Sequence, residues 1–306
     1  MRPFQQAPAG MSRSLRYFSQ GIVSTVAFRI LSWLPYAASS AIGGNLLRRI
    51  GPGLRRNRIA RDNLRQALPE MDAAGLDRIL ADMWENLGRV CGEFPHLGRM
   101  TREEFDRHVI VEGAEYIEEA KQGDRSCIFY SGHLANWEFA PKTLAVHGAP
   151  LALVYRKGNN PWLDRLIQET RGHYQSEAVA KGAGGSKQLL RAIQQRRHIG
   201  MLLDQKMNTG IAVDFFGRKA MTATAIATLA LKYDCPIIPV RVVRSAGTRH
   251  KVTIFPPLAL ERSGDEAADI KRIMSRINAT LEGWIREYPA QWIWIHRRWP
   301  AAGHVK

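Results

Sequence analysis

The sequence predicts an α/β domain, a mixed, largely parallel sheet flanked by helices, behind a membrane-associated helical segment at the N-terminus. Three observations predict it. From residue 126 onward, short apolar runs alternate with helix-period segments, the pattern of a sheet whose strands are joined by helical crossovers. Residues 30–47, "ILSWLPYAASSAIGGNLL", are uncharged over 18 positions with arginine on both sides. His133, Arg156 and Asp204 each fall at or just after a predicted strand end, where the loops of such sheets carry the chemistry. The chain accordingly divides into a tail and anchoring segment, 1–48, and an α/β domain, 49–306.

In chain order, the first ten residues read as an unstructured tail, with Met11 as an alternative start. The stretch 30–47 is marginal in length for a spanning helix, and Pro35, Gly43 and Gly44 weaken it further. Arg29 splits it from "GIVSTVAF" and a basic run follows at once, which fits a secretory signal poorly. It predicts an anchor that spans the bilayer or lies in its interface, with a buried core helix as the competing reading. Residues 48–65, "RRIGPGLRRNRIARDNLR", carry seven arginines and one aspartate. At an anionic membrane surface such a collar contributes about 1 kcal/mol per basic residue. No aromatic residues interleave it as stacking platforms, which argues against nucleic acid.

A helix is predicted over 72–91, where Leu76, Ile79, Leu80, Met83, Trp84, Leu87, Val90 and Cys91 define one apolar face. Gly92 and Pro95 are expected to stop it. Strands follow at 126–131, 150–156 and 199–204, and later at "CPIIPVRVV" and "HKVTIFPP". Helices are predicted near 135–146, 161–172, 186–197, 222–233 and 265–287. The last buries Ile270, Ile273, Met274, Ile277, Leu281 and Trp284 at helical spacing.

Composition narrows the function. With 44 Lys plus Arg against 28 Asp plus Glu the formal charge is +16, which favours a phosphate-rich or acidic partner. Arginine supplies 33 of those cations and suits bidentate phosphate contacts, although a codon bias toward arginine competes as a partial cause. Cys91, Cys127 and Cys235 lie far apart with no CxxC spacing, which argues against a disulfide framework or a structural zinc site. Cys127 reads as a buried thiol.

The stretch "YSGHLANWEF" places His133 and Glu138 five positions apart. On a regular helix they would not share a face. They meet only if His133 lies on the turn before a helix and Glu138 in its first turns, with Gly132 supplying the turn. Glu138 then accepts from one imidazole nitrogen and fixes the tautomer, leaving the other nitrogen to take a proton. A metal site lacks further ligands at ligand spacing. A relay to Ser131 or Cys127 and a structural salt bridge that caps a helix stay open.

Several stretches together resemble the bacterial lipid A biosynthesis acyltransferases, of the late lauroyl- or myristoyl-transferring type. They are "RIARDNLRQALPEMD", "ENLGRVCGEF", "SGHLANWEFAP", "VYRKGNNPWLDRLIQETRG", "GMLLDQKMNTGIAVDFFGRKAMTATAIATLA" and "YPAQWIWIHRRWP", in the family's order. The H-x4-D/E pair alone is shared with a wider glycerolipid acyltransferase superfamily, and the ordered set is more specific. The resemblance implies a glycerolipid-acyltransferase-like fold at the inner (cytoplasmic) membrane, with its active site facing the cytoplasm. It implies direct transfer of an acyl chain from acyl carrier protein to a hydroxyl of a phosphorylated, Kdo-bearing lipid A precursor, with neither cofactor nor metal. His133 is then the general base and Glu138 its orienting partner. Asn136 shapes the site and Arg156 contacts phosphate or the acyl donor. Arg171, Asp204 and Gln205 match further family positions, a cap or salt bridge being the alternative for Asp204. Trp292, Trp294 and Trp299 serve either as interfacial aromatics or as core.

Two departures bear on selectivity: "RRH" at 196–198, where a glycine is usual, and the flexible "GAGG" at 182–185. The competing readings are the same chemistry on another glycolipid or aminolipid, and a non-enzymatic basic protein that binds anionic membranes or nucleic acid.

Overall fold

The computed structural model describes residues 9–299. The expected unstructured tail lies outside these residues except at positions 9 and 10, which open the first helix. In order the elements are α1 (Ala9–Trp33), α2 (Tyr36–Ile50), α3 (Arg55–Ala67), α4 (Ala73–Leu97), α5 (Arg102–His108), β1 (Val109–Glu112), α6 (Glu115–Gln122), β2 (Ile128–Ser131) and α7 (Phe139–Val146). Then come β3 (Leu151–Tyr155), α8 (Pro161–Arg171), β4 (Gln175–Ala180), α9 (Ala183–Gln194), β5 (Ile199–Leu202), β6 (Ile211–Phe215), β7 (Arg218–Thr222), α10 (Ala225–Tyr233), β8 (Ile237–Ala246), β9 (Arg249–Ile254) and α11 (Glu266–Glu287).

Seven strands form one sheet in the order β1-β9-β8-β2-β5-β3-β4. Only β8 and β9 pair antiparallel; the other neighbours are parallel. The expected fold class is therefore the observed one. Helices cover both faces, so β2 is buried throughout and apolar up to Ser131 at its end, as parallel strands are. One core face gathers Leu64, Met83, Ile277, Leu281 and Trp294; the other gathers Phe105, Ile117, Phe139, Leu144 and Val252. Trp292, Trp294 and Trp299 are all buried, which decides their placement in favour of core. On α11, Ile273, Met274, Ile277, Leu281 and Trp284 are buried as expected and Ile270 only partly.

The apolar N-terminal stretch breaks at Pro35 into α1 and α2. Among the described residues no helix is long and apolar enough to cross a membrane. Gly43, Gly88 and Gly92 make α2 and α4 cross closely: a Cβ on Gly43 would stand 2.2 Å from the Gly88 carbonyl oxygen, and one on Gly92 2.2 Å from that of Ser39. Gly92 is thus a packing residue, and the expectation that it and Pro95 stop the helix is corrected. Pro95 forgoes one backbone donor, and α4 runs on to Leu97.

The sequence reading also missed the antiparallel hairpin β6–β7. Its two-residue turn uses Phe216 at φ 54° and Gly217 at φ 66°, the pair of left-handed residues that a tight hairpin turn demands.

Candidate active site

Strands β2, β5, β3 and β4 are consecutive and parallel, so their C-terminal ends share one edge of the sheet. His133 follows β2, Asp204 and Gln205 follow β5, Arg156 follows β3 and Lys181 follows β4. One cleft of ≈ 250 Å³ is lined by His133, Arg156, Arg171, Lys181 and Gln205, among others. Strand order thus assembles residues spread over about a quarter of the chain.

The imidazole is held from one side. Asp204 Oδ1 lies 2.8 Å from His133 Nδ1, and Asp204 Oδ2 accepts the His133 backbone N–H at 2.8 Å. Trp292 Nε1 donates to the same Oδ2 at 2.6 Å. Burial alone would raise the Asp204 pKa, but the His133 charge and the hydrogen bonds from His133 and Trp292 outweigh it and hold the group below the carboxylate range. A carboxylate only accepts, so Nδ1 carries the proton and the Nε2 lone pair is left toward the cleft. Gln205 Nε2 stands 3.4 Å from it. Trp137 packs edge-on against the ring at 5.1 Å. Burial first, and then the neighbouring His133, push His296 down to about 4, which keeps it neutral beside the His133 ring.

Glu138 does not meet His133, which corrects the expected pairing. Residues 132–138 are a loop rather than the first turns of a helix; Ala135 is left-handed at φ 47° and Glu138 only precedes α7. The Glu138 carboxylate instead accepts from both Nε (3.0 Å) and Nη2 of Arg171, from Tyr174 Oη at 2.7 Å and from Trp137 Nε1 at 3.0 Å. Burial raises its pKa, and the Arg171 charge with these hydrogen bonds lowers it further than burial lifts it. Arg171 is correspondingly raised against its own burial by Glu138. Two carboxylates therefore occupy the site, one on the imidazole and one on a buried guanidinium.

Asn136 is fully buried and donates to Glu93 on α4 at 2.8 Å, so it braces the loop and does not line the cleft. Arg156 lies exposed at the cleft mouth. Neither alternative nucleophile is bonded to His133: Ser131 Oγ turns to the Gly132 carbonyl, and burial pushes the Cys127 thiol up to about 11. Sequence reasoning missed Tyr174, Trp137, Lys181 and Glu93. It read Trp292 only as an aromatic, whereas Trp292 bridges Leu134 of the loop and bonds Asp204.

An apolar pocket of ≈ 260 Å³, lined by Val179, Leu189, Leu203 and Met207, shares Val154, Lys181, Leu202 and Gln205 with the cleft. On α1 and α2, Phe18, Ile22, Val26, Trp33, Ile42 and Leu46 remain exposed.

Residues 9–301 match the model of the family described as bacterial lipid A biosynthesis acyltransferase. The chain is 23% identical over 270 residues to the lipid A biosynthesis palmitoleoyltransferase of Escherichia coli (strain K12), covering 87% of this chain and 86% of that protein. It is 25% identical to the lipid A biosynthesis myristoyltransferase of the same organism, covering 82% and 77%. Against the phosphatidylinositol mannoside acyltransferase of Mycobacterium tuberculosis (strain CDC 1551 / Oshkosh) the identity is 24%, over 79% and 76%. Among solved structures it is similar to a 1-acyl-sn-glycerophosphate acyltransferase from Thermotoga maritima, at TM-score 0.37 and 11% identity, over 87% of this chain and 98% of that one.

Proposed function

The chain belongs to the bacterial lipid A biosynthesis acyltransferase family and is an acyltransferase, and on that premise we propose that it acylates a phosphorylated, Kdo-bearing lipid A precursor from an acyl carrier protein thioester. His133 Nε2 removes the proton of the acceptor hydroxyl while the oxygen attacks the thioester carbonyl. The Asp204 carboxylate holds the tautomer and stabilises the imidazolium. As the tetrahedral centre collapses, the C–S bond breaks, the new ester C–O bond remains, and the imidazolium returns its proton to the departing thiolate. No acyl-enzyme is needed, because a thioester is already activated and the enzyme supplies a base, charge stabilisation and proximity.

The observation that carries this reading is the aspartate-held imidazole whose Nε2 faces a cleft lined by Arg156, Arg171 and Lys181. Arg156 and Lys181 suit an anionic substrate group at the mouth, and the adjoining apolar pocket suits an alkyl chain. Glu138 acts through Arg171, which it fixes at the cleft wall, and through Trp137, which it holds against the His133 ring. The net charge of +16 suits an acidic carrier and an anionic inner-membrane surface. Exposed apolar residues of α1 and α2 beside Arg48, Arg49 and Arg55 suit interfacial binding at the cytoplasmic leaflet.

The test is acyl transfer in isolated membranes from acyl carrier protein to the Kdo-bearing precursor, with a phosphatidylinositol mannoside as second acceptor. Product with the first acceptor from wild type and none from folded, membrane-bound His133→Ala supports the proposal. Product with the second acceptor alone replaces the acceptor and keeps the chemistry. Full activity in His133→Ala overturns the mechanism.

A further inference from the structure

The active-site loop rests on a buried polar network that no step of the transfer uses. At its centre Arg244 on β8 grips Glu93 on α4 with two nitrogens, Nη1 to Oε1 and Nη2 to Oε2 at 3.0 Å. Their side chains are 8% and 0% exposed. The remaining capacity of both groups is filled by three distant side chains and one nearby carbonyl. Ser40 on α2 donates to Glu93 Oε1 at 2.7 Å, and Asn136 of the loop donates to Oε2 at 2.8 Å. Arg244 Nε donates to Asn86 Oδ1 at 3.0 Å, and Nη1 to the Gly247 carbonyl at 2.8 Å.

From this pair the bonds run to backbone groups of the loop at Ala135 and Glu138 and to the segment at Gln291 beside it. Asn86 Nδ2 donates to the carbonyls of Ala135 and Gln291, each at 3.3 Å. The Ala135 N–H donates to the Gln291 carbonyl at 2.9 Å. The Gln291 side chain is in turn pinned on both sides of the Arg244 backbone, accepting from its N–H at 2.7 Å and donating to its carbonyl at 2.9 Å. Asn136 Oδ1 accepts the Glu138 N–H at 3.3 Å. The loop's left-handed residue is an alanine, which does not favour that conformation unaided. A surrounding structure has to impose it, and the Arg244–Glu93 pair is what the bonds converge on.

A buried ion pair is a poor source of stability, since apolar residues of the same volume often do as well or better. Its use here is geometric. We propose that Arg244 and Glu93 are positioning residues for acyl transfer: through Asn86, Asn136 and Gln291 they impose the turn at Ala135 that sends His133 to Asp204 and Glu138 to Arg171. The inference rests on the acyltransferase reading for its kinetic readout only. Arg244 touches no reacting group, so its effect falls on kcat and leaves substrate binding alone. Lysine at this position keeps a cation beside Glu93, but one ammonium cannot serve Glu93, Asn86 and Gly247 together.

The experiment uses the full chain in detergent micelles with acyl carrier protein thioester and the Kdo-bearing precursor. Arg244→Lys and Arg244→Ala are compared with wild type for kcat, KM and Tm. The modification rate of His133 by diethyl pyrocarbonate, read by mass spectrometry, gives a measure that needs no turnover. Expected for Arg244→Lys are a tenfold or larger fall in kcat, KM within twofold, a Tm within a few degrees and a changed His133 modification rate. Guanidinium chloride at millimolar concentration returns part of the lost rate to Arg244→Ala and none to His133→Ala. A folded Arg244→Lys with wild-type kcat and wild-type His133 reactivity overturns the proposal, as does a rate loss that only follows Tm and that guanidinium does not relieve. Should wild type be inactive on this precursor, the acceptor assignment fails while the modification rates still decide the positioning role.

Discussion

Replacing Asp204 by asparagine separates the two carboxylates of the site by their hydrogen-bond logic. Asp204 Oδ2 faces two obligate donors, the His133 backbone N–H and Trp292 Nε1, while Oδ1 faces His133 Nδ1. An asparagine has one oxygen and one NH2, and only the oxygen can sit opposite those two donors. The NH2 is then forced onto Nδ1, which must become an acceptor. The imidazole proton moves to Nε2, and the lone pair proposed to take the hydroxyl proton is lost from the cleft. Removing a positioned general base costs about 10²–10⁴ in rate, and a wrong-tautomer change of this kind costs about 10⁴ in a serine protease. We expect kcat to fall about 10³- to 10⁴-fold, or about 4 to 5.5 kcal/mol of barrier. The Trp292 bond survives, so the fold should survive with it. The assay is the initial rate of labelled acyl transfer, with thermal unfolding followed by circular dichroism. A folded Asp204→Asn within tenfold of the wild-type kcat would falsify the tautomer argument and reopen Glu138 as the partner of His133.

Three further outcomes are expected. Gly88→Ala puts a Cβ 2.1 Å from the Gly43 carbonyl oxygen, so α2 must lift from α4; a loss of about 1–3 kcal/mol is expected, and an unchanged Tm would show that the crossing is looser than described. His250 is buried against Phe139 with Glu93, Arg244 and His108 as its charged and titratable neighbours, and burial, helped by Arg244, pushes it down to about 3. The unfolded chain therefore binds a proton that the folded one refuses, and stability falls as pH drops from about 6.5 toward 3, by at most about 4–5 kcal/mol. Urea titrations at stepped pH should show that slope in wild type and a shallower one in His250→Gln. Arg156→Ala and Lys181→Ala should each raise KM for the phosphorylated acceptor about 5- to 20-fold, the size of one charge-assisted contact, and weaken its salt dependence. A fall in kcat at constant KM would instead place these cations on the reacting atoms.

What the sequence made legible was the architecture and the place of the candidate site, because both follow from short-range signals. Apolar runs at β2, β3 and β5 and the helical period of α11 mark their own elements, and polar residues just past strand ends mark the edge where parallel strands deliver side chains. The partners of those side chains were harder to read. A five-residue spacing makes His133 and Glu138 look like a pair, yet one left-handed residue, Ala135, turns them apart. The carboxylate that reaches the imidazole comes from 71 residues away, because β5 is hydrogen-bonded beside β2. In the same way Gly92 reads locally as a helix stop, and only the crossing of α2 reveals it as a contact surface. Arg244 and Glu93, 151 residues apart, carry no local signature at all. A motif records which residues share a loop, whereas sheet order decides which of them touch. The H-x4-E spacing therefore falls on the loop that carries His133 into the candidate cleft, while the partner it suggests for the imidazole is the wrong one.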